Sequence, residues 1–298
     1  MSSMSISADP TLDYEEILAV AKEAAKLAGT EIQRVWWNET GDSLTQKSSN
    51  TDLVTETDEH AEKLITELLQ EKFPSHKIIG EESSGADCKY TLSDDPTWTI
   101  DPIDGTTNFV HRLGLSCVLV AFLHQKDVKV GVTYNPTSEE LFWAIKGRGA
   151  FLETRDGVVR QIKVSKTTDI RQALVAMDPG YGRDDESIHR YISVQKGILQ
   201  RGVRNIRTYG CCGLCLANVA CGRFDAFFEE GSWDTNTGPK IWDFCAGKLL
   251  IEEAGGVTRD VTKRASKDKE LDILQRSSFA AATPELADQI LDIIYNSK

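Results

Sequence analysis

"DPIDGTTNF", residues 101–109, sets two aspartates three positions apart around a Pro-Ile pair and then runs into Gly-Thr-Thr. The chain already carries a formal net charge of −12, so crowding carboxylates into one strand-like stretch needs a physical reason. Asp101 precedes a proline, which biases it toward extended backbone, so a strand over "TWTI" is expected to end there and the chain to turn. Asp104 then returns to the same side. Two carboxylates together with the Ile103 carbonyl make a set of hard oxygen ligands suited to Mg²⁺. Gly105, Thr106 and Thr107 read as a helix start, whose N–H groups favour an anion such as phosphate. Carboxylates repel phosphate, and divalent cations between them resolve the conflict. The stretch therefore reads as a cation cage whose cations recruit a negatively charged substrate.

The bulk numbers frame that reading. With 298 residues, 40% of them hydrophobic and 27% charged, the chain is long enough for one large domain or two joined lobes. The acidic balance argues against a nucleic-acid surface, since the 34 basic residues form no long run. The longest apolar run, "CVLVAFL" at 117–123, is too short to cross a bilayer. The first residues, "MSSMSISADPTL", lack a basic segment followed by an apolar one, so the expected location is cytoplasmic. Seven cysteines are an odd number, which fits free thiols in a reducing compartment. "CCGLC" at 211–215 and Cys221 invite a zinc reading, but no second CxxC or His pair stands nearby. Packing in a helix of small residues is the expectation for them. His60, His76, His111, His124 and His189 are scattered without ligand spacing.

Along the chain, residues 1–12 read as a flexible tail. The apolar stripe Ile17, Leu18, Ala21, Ala24, Ala25, Ala28, Ile32 and Val35 predicts a helix over 13–37. A second helix is expected over about 55–73, stopped by Pro74, and short strands over "KII" and "TWTI". From 116 to 164 the segments "SCVLVAFLH", "VKVGVTYN", "ELFWAI" and "VRQIKV" predict an antiparallel sheet. After it, "ALVAMD", helices over 185–200 and from Trp242 to Ala254, the Cys-rich helix, "FDAFFE" and a terminal helix predict a second α/β lobe. The division is an N-terminal α+β lobe of about 13–165 and a C-terminal lobe of about 166–298. "TKRASKDKE" at 262–270 reads as a solvated loop.

Further acids stand at element ends: Glu81 after "KIIG", Asp58 in the first turn of the second helix, and Asp243 where an apolar helix begins. Singly, each suits a cap or a turn. "GEES", "DPIDGTTNF" and "WDFCAGKLLIEEAGG", in that order, resemble the motifs of the inositol monophosphatase family, with further likeness in "KSSNTDLVTETD" and "PSHKIIGEES". The resemblance runs from about Tyr14 onward. It implies a layered αβαβα sandwich of the α+β class and lithium-sensitive, Mg²⁺-dependent hydrolysis of myo-inositol monophosphates by metal-activated water, with two to three ions per site. It also implies a homodimer. Relatives in the same superfamily act on nucleotide bisphosphates, histidinol phosphate or other sugar phosphates, and a non-catalytic phosphate-binding protein is the remaining alternative.

By the same resemblance, Glu81, Asp101 and the Ile103 carbonyl are similar to ligands of the first metal, and Asp101, Asp104 and Asp243 to ligands of the second. Glu81 is similar to the ligand of a weaker third site. Thr106, oriented by Asp58, and Glu81 resemble the groups that activate water, and Gly105 and Thr106 the phosphate cradle. Lys47 lies in a segment resembling a mobile, metal-proximal loop where a cation offsets phosphate charge. Glu229 and the backbone around Cys212 resemble groups that hydrogen-bond the inositol hydroxyls. Two features depart from the family pattern: Gly210-Cys211-Cys212, and the long connection "GSWDTNTGPKIWD" with a second Trp-Asp pair at 233–234. Asp243 is the expected ligand, because an apolar helical run follows it, whereas Asp234 is followed by loop-forming "TNTGP".

Overall fold

The computed structural model describes residues 12–36, 44–49, 52–85, 90–232, 237–261 and 271–297; for 44–49 and 52–54 it describes the backbone alone. Residues 1–11 and 262–270, read above as tail and loop, lie outside the described residues. Helix α1 spans Tyr14–Trp36, and an antiparallel hairpin of β1 (Leu44–Ser49) and β2 (Asp52–Thr55) leads into α2 (Glu56–Lys72). The next elements are β3 (Lys77–Gly80), α3 (Glu81–Ser84), β4 (Thr97–Asp104) and α4 (Thr106–Val110). A run of strands follows: β5 (Cys117–His124), β6 (Asp127–Asn135), β7 (Glu140–Ile145), β8 (Ala150–Glu153) and β9 (Val159–Ile162). The remainder comprises β10 (Leu174–Met177), α5 (Asp185–Gln200), β11 (Asn205–Arg207), α6 (Cys212–Ala220) and β12 (Ala226–Glu229). Helix α7 (Ile241–Glu253), β13 (Val257–Thr258), β14 (Ser278–Ala281) and α8 (Pro284–Asn296) close the order.

Two sheets carry the fold. The larger has seven strands in the order β3-β4-β5-β6-β7-β8-β9, antiparallel except for the parallel pair β3 and β4. The smaller runs β11-β10-β12-β14-β13, with β10 parallel to both β11 and β12 and the other pairs antiparallel. The alanines of α1 at 21, 24, 25 and 28 are fully buried beside Ile65 and Leu69 of α2 and Val118, Val120 and Val132 of the large sheet. Small side chains on α1 let it approach the sheet closely. On the other face, Phe244, Leu249 and Leu250 of α7 and Leu216 and Val219 of α6 pack with Phe142 and Ala144. Phe227 and Ala280 of the small sheet join the same core, and Val194, Ile198, Leu286 and Ile290 of α5 and α8 cover that sheet's outer face. The layers are therefore helix, sheet, helix, sheet, helix.

One expectation changes at the opening stretch. The strand does not end at Asp101: β4 runs on to Asp104, with Asp101 opposite Leu119 and Asp104 opposite Cys117. Three steps on β4 match two on β5, which is a one-residue bulge. Its position has a chemical reason, since Pro102 has no N–H to give to a ladder, and Ile103 N–H turns back to Asp101 Oδ1 at 3.0 Å.

Helix α7 is seated by a missing side chain. A Cβ built on Gly131 of β6 would stand 2.9 Å from Ala246 Cα and 3.0 Å from Ala246 O. Both are backbone atoms that cannot swing aside. Gly131→Ala is expected to cost about 1–3 kcal/mol through overpacking, read as a lower thermal unfolding midpoint. An unchanged midpoint would mean that α7 has room to move off the sheet.

Candidate active site

At the C-terminal end of β4 the bulge decides where the carboxylates point. On a regular strand, residues three apart face opposite sides; the extra residue reverses that parity. Asp101 and Asp104 consequently line one cavity of about 300 Å³, together with Glu81, Ile103, Asp243 and Glu229. Carboxylate oxygens of Glu81, Asp101 and Asp243 all lie within 4.8 Å of one another.

Asp101 is held by the Ile103 N–H, and the other two stand at helix starts. Glu81 opens α3 immediately after β3, and the start of that helix is held from α2: the Glu62 carboxylate accepts Glu82 N–H at 2.7 Å and Ser83 N–H at 2.8 Å. Gly80 leaves the room for this, because a Cβ there would stand 2.5 Å from Glu62 Cδ. Asp243 sits in the first turn of α7 and accepts the N–H of Lys240, the N-cap residue, so its cap and its place in the cluster are the same geometry. Asp104 lies on the same cavity but its carboxylate is engaged by the start of α6: Cys212 N–H donates to Oδ1 at 3.3 Å, Gly213 N–H to Oδ2, and Cys211 Sγ to Oδ2 at 3.1 Å.

The electrostatics say what the cluster lacks. Burial, then the charges of Glu81, Asp104 and Asp243, push the Asp101 carboxyl well above its ordinary value. Burial and Asp243 raise Asp104 to about 7, and burial and Glu81 raise Asp243 to about 6, with Lys240 opposing. Asp101, Asp104 and Asp243 are held up by burial and by repulsion among neighbouring acids, and a divalent cation would relieve the repulsion. The donors are all hard oxygens, of the kind preferred by Mg²⁺, Ca²⁺ and Mn²⁺. The residues therefore fit a divalent metal.

The family model described as the inositol monophosphatase family matches residues 13–298. The chain belongs to this family. It is 39% identical over 285 residues to inositol monophosphatase 2 of Solanum lycopersicum, covering 95% of this chain and 100% of that one. It is 36% identical over 283 residues to human inositol monophosphatase 1, covering 95% and 94% of the two chains. Among solved structures it is similar to the extragenic suppressor protein suhB from Bartonella henselae, with a TM-score of 0.79 at 28% identity over 95% of this chain and 100% of that one. The inositol monophosphatase from Anabaena gives a TM-score of 0.76 at 28% identity, covering 96% and 98%.

In this inositol monophosphatase family member, Gly105, Thr106, Cys212 and Glu229 also line the cavity. Thr106 is the first residue of α4, preceded by Gly105 in the left-handed conformation at φ 85°. Its Oγ1 lies 3.1 Å from the Ile103 carbonyl and 3.5 Å from Asp58 Oδ1, so its single proton is directed at those acceptors. Asp58 is buried at the start of α2, where it accepts Thr55 N–H at 2.8 Å and Thr55 Oγ1–H at 2.6 Å. Glu229 ends β12 on the cavity, and burial with the nearby Asp178 pushes its carboxyl well above the usual range. Lys47 falls in β1 with its side chain outside the described residues, and Asp234 lies outside them altogether. Ser232 and Thr237 bridge the base of that connection, exchanging both backbone bonds at 3.0 Å.

Three positions escaped the sequence reading. Asp178, the last letter of "ALVAMD", accepts Tyr209 N–H at 2.9 Å and Gly210 N–H at 3.0 Å and lines the cavity. Asn108, inside the opening stretch, donates from Nδ2 to Leu115 O at 2.9 Å, Tyr209 O at 2.7 Å and Gly210 O at 3.1 Å, tying α4 to the segment before α6. Glu62 is the third. Its only signal was an acid on the inward face of α2, among Ala61, Ile65 and Leu69.

A larger cavity, about 680 Å³, opens beside α5. Its charged pair, Arg190 and Glu230, is already satisfied at 2.9 Å, and its lining includes Ser232, Thr237 and Val261, which adjoin residues outside the described set.

Glu62→Gln keeps the shape but turns an amide N–H₂ toward a backbone N–H. A stability loss of about 1–3 kcal/mol is expected from the unsatisfied donor, and divalent-ion affinity should fall ~10–100-fold as the support of Glu81 loosens. Calorimetric ion titration beside thermal unfolding checks both. Lost stability with unaltered ion affinity would separate Glu62 from the cluster.

Proposed function

We propose that the protein hydrolyses myo-inositol monophosphates to inositol and phosphate with Mg²⁺ held in the carboxylate cluster. The observation that carries this reading is the convergence of Glu81, Asp101 and Asp243 within 4.8 Å on a cavity that also presents Glu229. Glu81, Asp101, Asp104, Asp243 and the Ile103 carbonyl would hold two to three ions. When bound, the metal supplies Lewis-acid polarisation of the phosphoryl group and lowers the pKa of coordinated water.

The chain's own groups do the rest. A hydroxyl has one proton and two lone pairs; with its proton directed at Ile103 O or Asp58, Thr106 Oγ1 can only accept from an attacking water. Glu81, on the same cavity, is the neighbouring proton acceptor. Residues 105–107 open α4 on this cavity and supply the anion-facing backbone for phosphate. Glu229 and the backbone at Cys212 face the alcohol part, and Lys47 belongs near the phosphate.

Family membership supports lithium sensitivity and a homodimer. Among the described residues no helix is long and apolar enough to cross a membrane; a cytoplasmic location is part of the proposal. The two sheets support a division into lobes near residue 165.

Exhaustive chelation is expected to abolish hydrolysis, and readdition of Mg²⁺ to restore it; activity that persists without divalent ions removes the metal from the proposal. Asp104→Asn should lower kcat at least ~10²-fold, equivalent to about 2.7 kcal/mol. The two Trp-Asp pairs separate cleanly. Asp243→Asn should abolish turnover and weaken Mg²⁺ binding, while Asp234→Asn should leave the Mg²⁺ titration near wild type. The reverse pattern would assign the ligand to the connection before α7. For the alcohol side, Glu229→Gln should harm inositol phosphate more than glycerol 2-phosphate, because a hydrogen-bonding acid discriminates against substrates lacking the hydroxyl. Equal losses on both would mean that Glu229 does not read the ring.

A further inference from the structure

Asp104 has a second neighbourhood that the phosphatase reading does not use. Cys117 opens β5 directly opposite it in the ladder, and Cys211 precedes α6. The two sulfurs are 3.6 Å apart, and Asp104 Oδ2 stands 3.1 Å from Cys211 Sγ and 3.7 Å from Cys117 Sγ. These are three ligating side chains from three elements, all within 4.8 Å of one another. Residue spacing does not reveal it, since Cys117 and Cys211 are separated by 94 positions.

The edge lengths are compatible with a tetrahedral ion, and the sulfurs set its class. Tetrahedral zinc with sulfur at about 2.3 Å and carboxylate oxygen at about 2.0–2.2 Å requires S···S near 3.8 Å and S···O near 3.5 Å. The observed 3.6, 3.1 and 3.7 Å bracket those edges within a few tenths of an ångström. A disulfide would instead need the sulfurs to close to about 2.05 Å. Soft thiolates select soft or borderline ions over Mg²⁺, the opposite preference from the all-oxygen cluster nearby. Cys211 and Asp104 both line the cavity, so an ion has a route in.

We propose that Asp104, Cys117 and Cys211 form a thiophilic metal site for an ion of the zinc–cadmium class, and that filling it inhibits the enzyme by holding Asp104 Oδ2 on the sulfur side, withheld from the carboxylate cluster. Binding releases a proton from each thiol and leaves the sulfurs unoxidised. The binding part stands on the three side chains alone; the inhibition part rests on the proposed phosphatase activity.

The reduced full-length protein, in Mg²⁺ buffer, is titrated with Cd²⁺ while the ultraviolet thiolate-to-metal charge-transfer band and phosphate release are followed together. One Cd²⁺ per chain should give a two-thiolate band that rises in step with inhibition, and excess Mg²⁺ should relieve neither. Cys117→Ser, which leaves every proposed oxygen ligand in place and keeps a hydroxyl beside Asp104, should retain Mg²⁺-dependent activity, halve the band and weaken Cd²⁺ inhibition at least ~10-fold, as expected for a lost ligand. Cys221→Ser, at the far end of α6, should change nothing. Inhibition without a band, relieved by Mg²⁺, would place Cd²⁺ in the oxygen cluster and overturn the proposal. So would a band that survives in the Cys117→Ser, Cys211→Ser double variant, or thiols lost without bound metal and recovered by dithiothreitol. A band with the predicted cysteine dependence in a protein that hydrolyses no phosphomonoester would support the site while removing the phosphatase reading.

Discussion

One extra residue in β4 is the constraint from which the site follows. Side chains on a strand alternate, so without the bulge Asp101 and Asp104 would face opposite sides of the large sheet, one of them toward α1 and α2 in a core of Ile and Val. A lone carboxylate there would cost several kcal/mol or stay protonated. The bulge instead collects both acids on the side where α7 and α6 present their N-termini. Pro102 makes the register shift cheap because a ladder position without an N–H loses nothing by being unpaired.

The rest of the cavity is assembled from element ends rather than from loops. Glu81 begins α3, Thr106 begins α4, Asp243 lies in the first turn of α7, and Glu229 and Asp178 finish or follow strands of the small sheet. Polar groups at these ends have backbone partners already fixed, as with Asp58 and Thr55 or Asp178 and the N–H groups of 209 and 210. The acids are thereby oriented before any ion arrives. Burial first, and then the charges of the neighbouring acids, raise the pKa values of Asp101 and Asp104, and a divalent cation would relieve the repulsive part.

Much of this was legible in the sequence because it is local. The alanine stripe of α1, the place of Asp58 in the first turn of α2, the position of Asp243 ahead of an apolar run and the order of the acidic motifs depend on spacing within a few residues. The bulge was not legible as such: a proline after Asp101 signals a break in pairing, and whether the strand stops or continues out of register depends on β5 across the sheet. Glu62, Asp178 and Asn108 were missed for a related reason. Each is a single polar residue whose meaning comes from backbone groups up to 102 positions away, as in the Asn108 bond to Gly210 O. The cysteines show the same limit from the other direction. Spacing within 211–221 correctly suggested packing, with Cys212 and Cys215 buried among Leu216 and Phe227, while the partner that gives Cys211 a different chemistry lies on another sheet strand.

Asp243 shows how far the chemistry depends on packing remote from it. It precedes Ala246 by three residues, about one helical turn, and Ala246 is the point where α7 touches Gly131 of β6 backbone to backbone. A helix is stiff over one turn, so any lift of Ala246 from the sheet is transmitted to the Asp243 carboxylate almost undiminished. Three carboxylates grouped within 4.8 Å tolerate little such displacement if they are to share ions. The steric exclusion of a side chain at Gly131 is therefore a constraint on the active site, applied through the core. The same logic makes the Asp104 contact with α6 consequential, since one carboxylate there answers both to the hard oxygen cluster and to a pair of soft sulfurs.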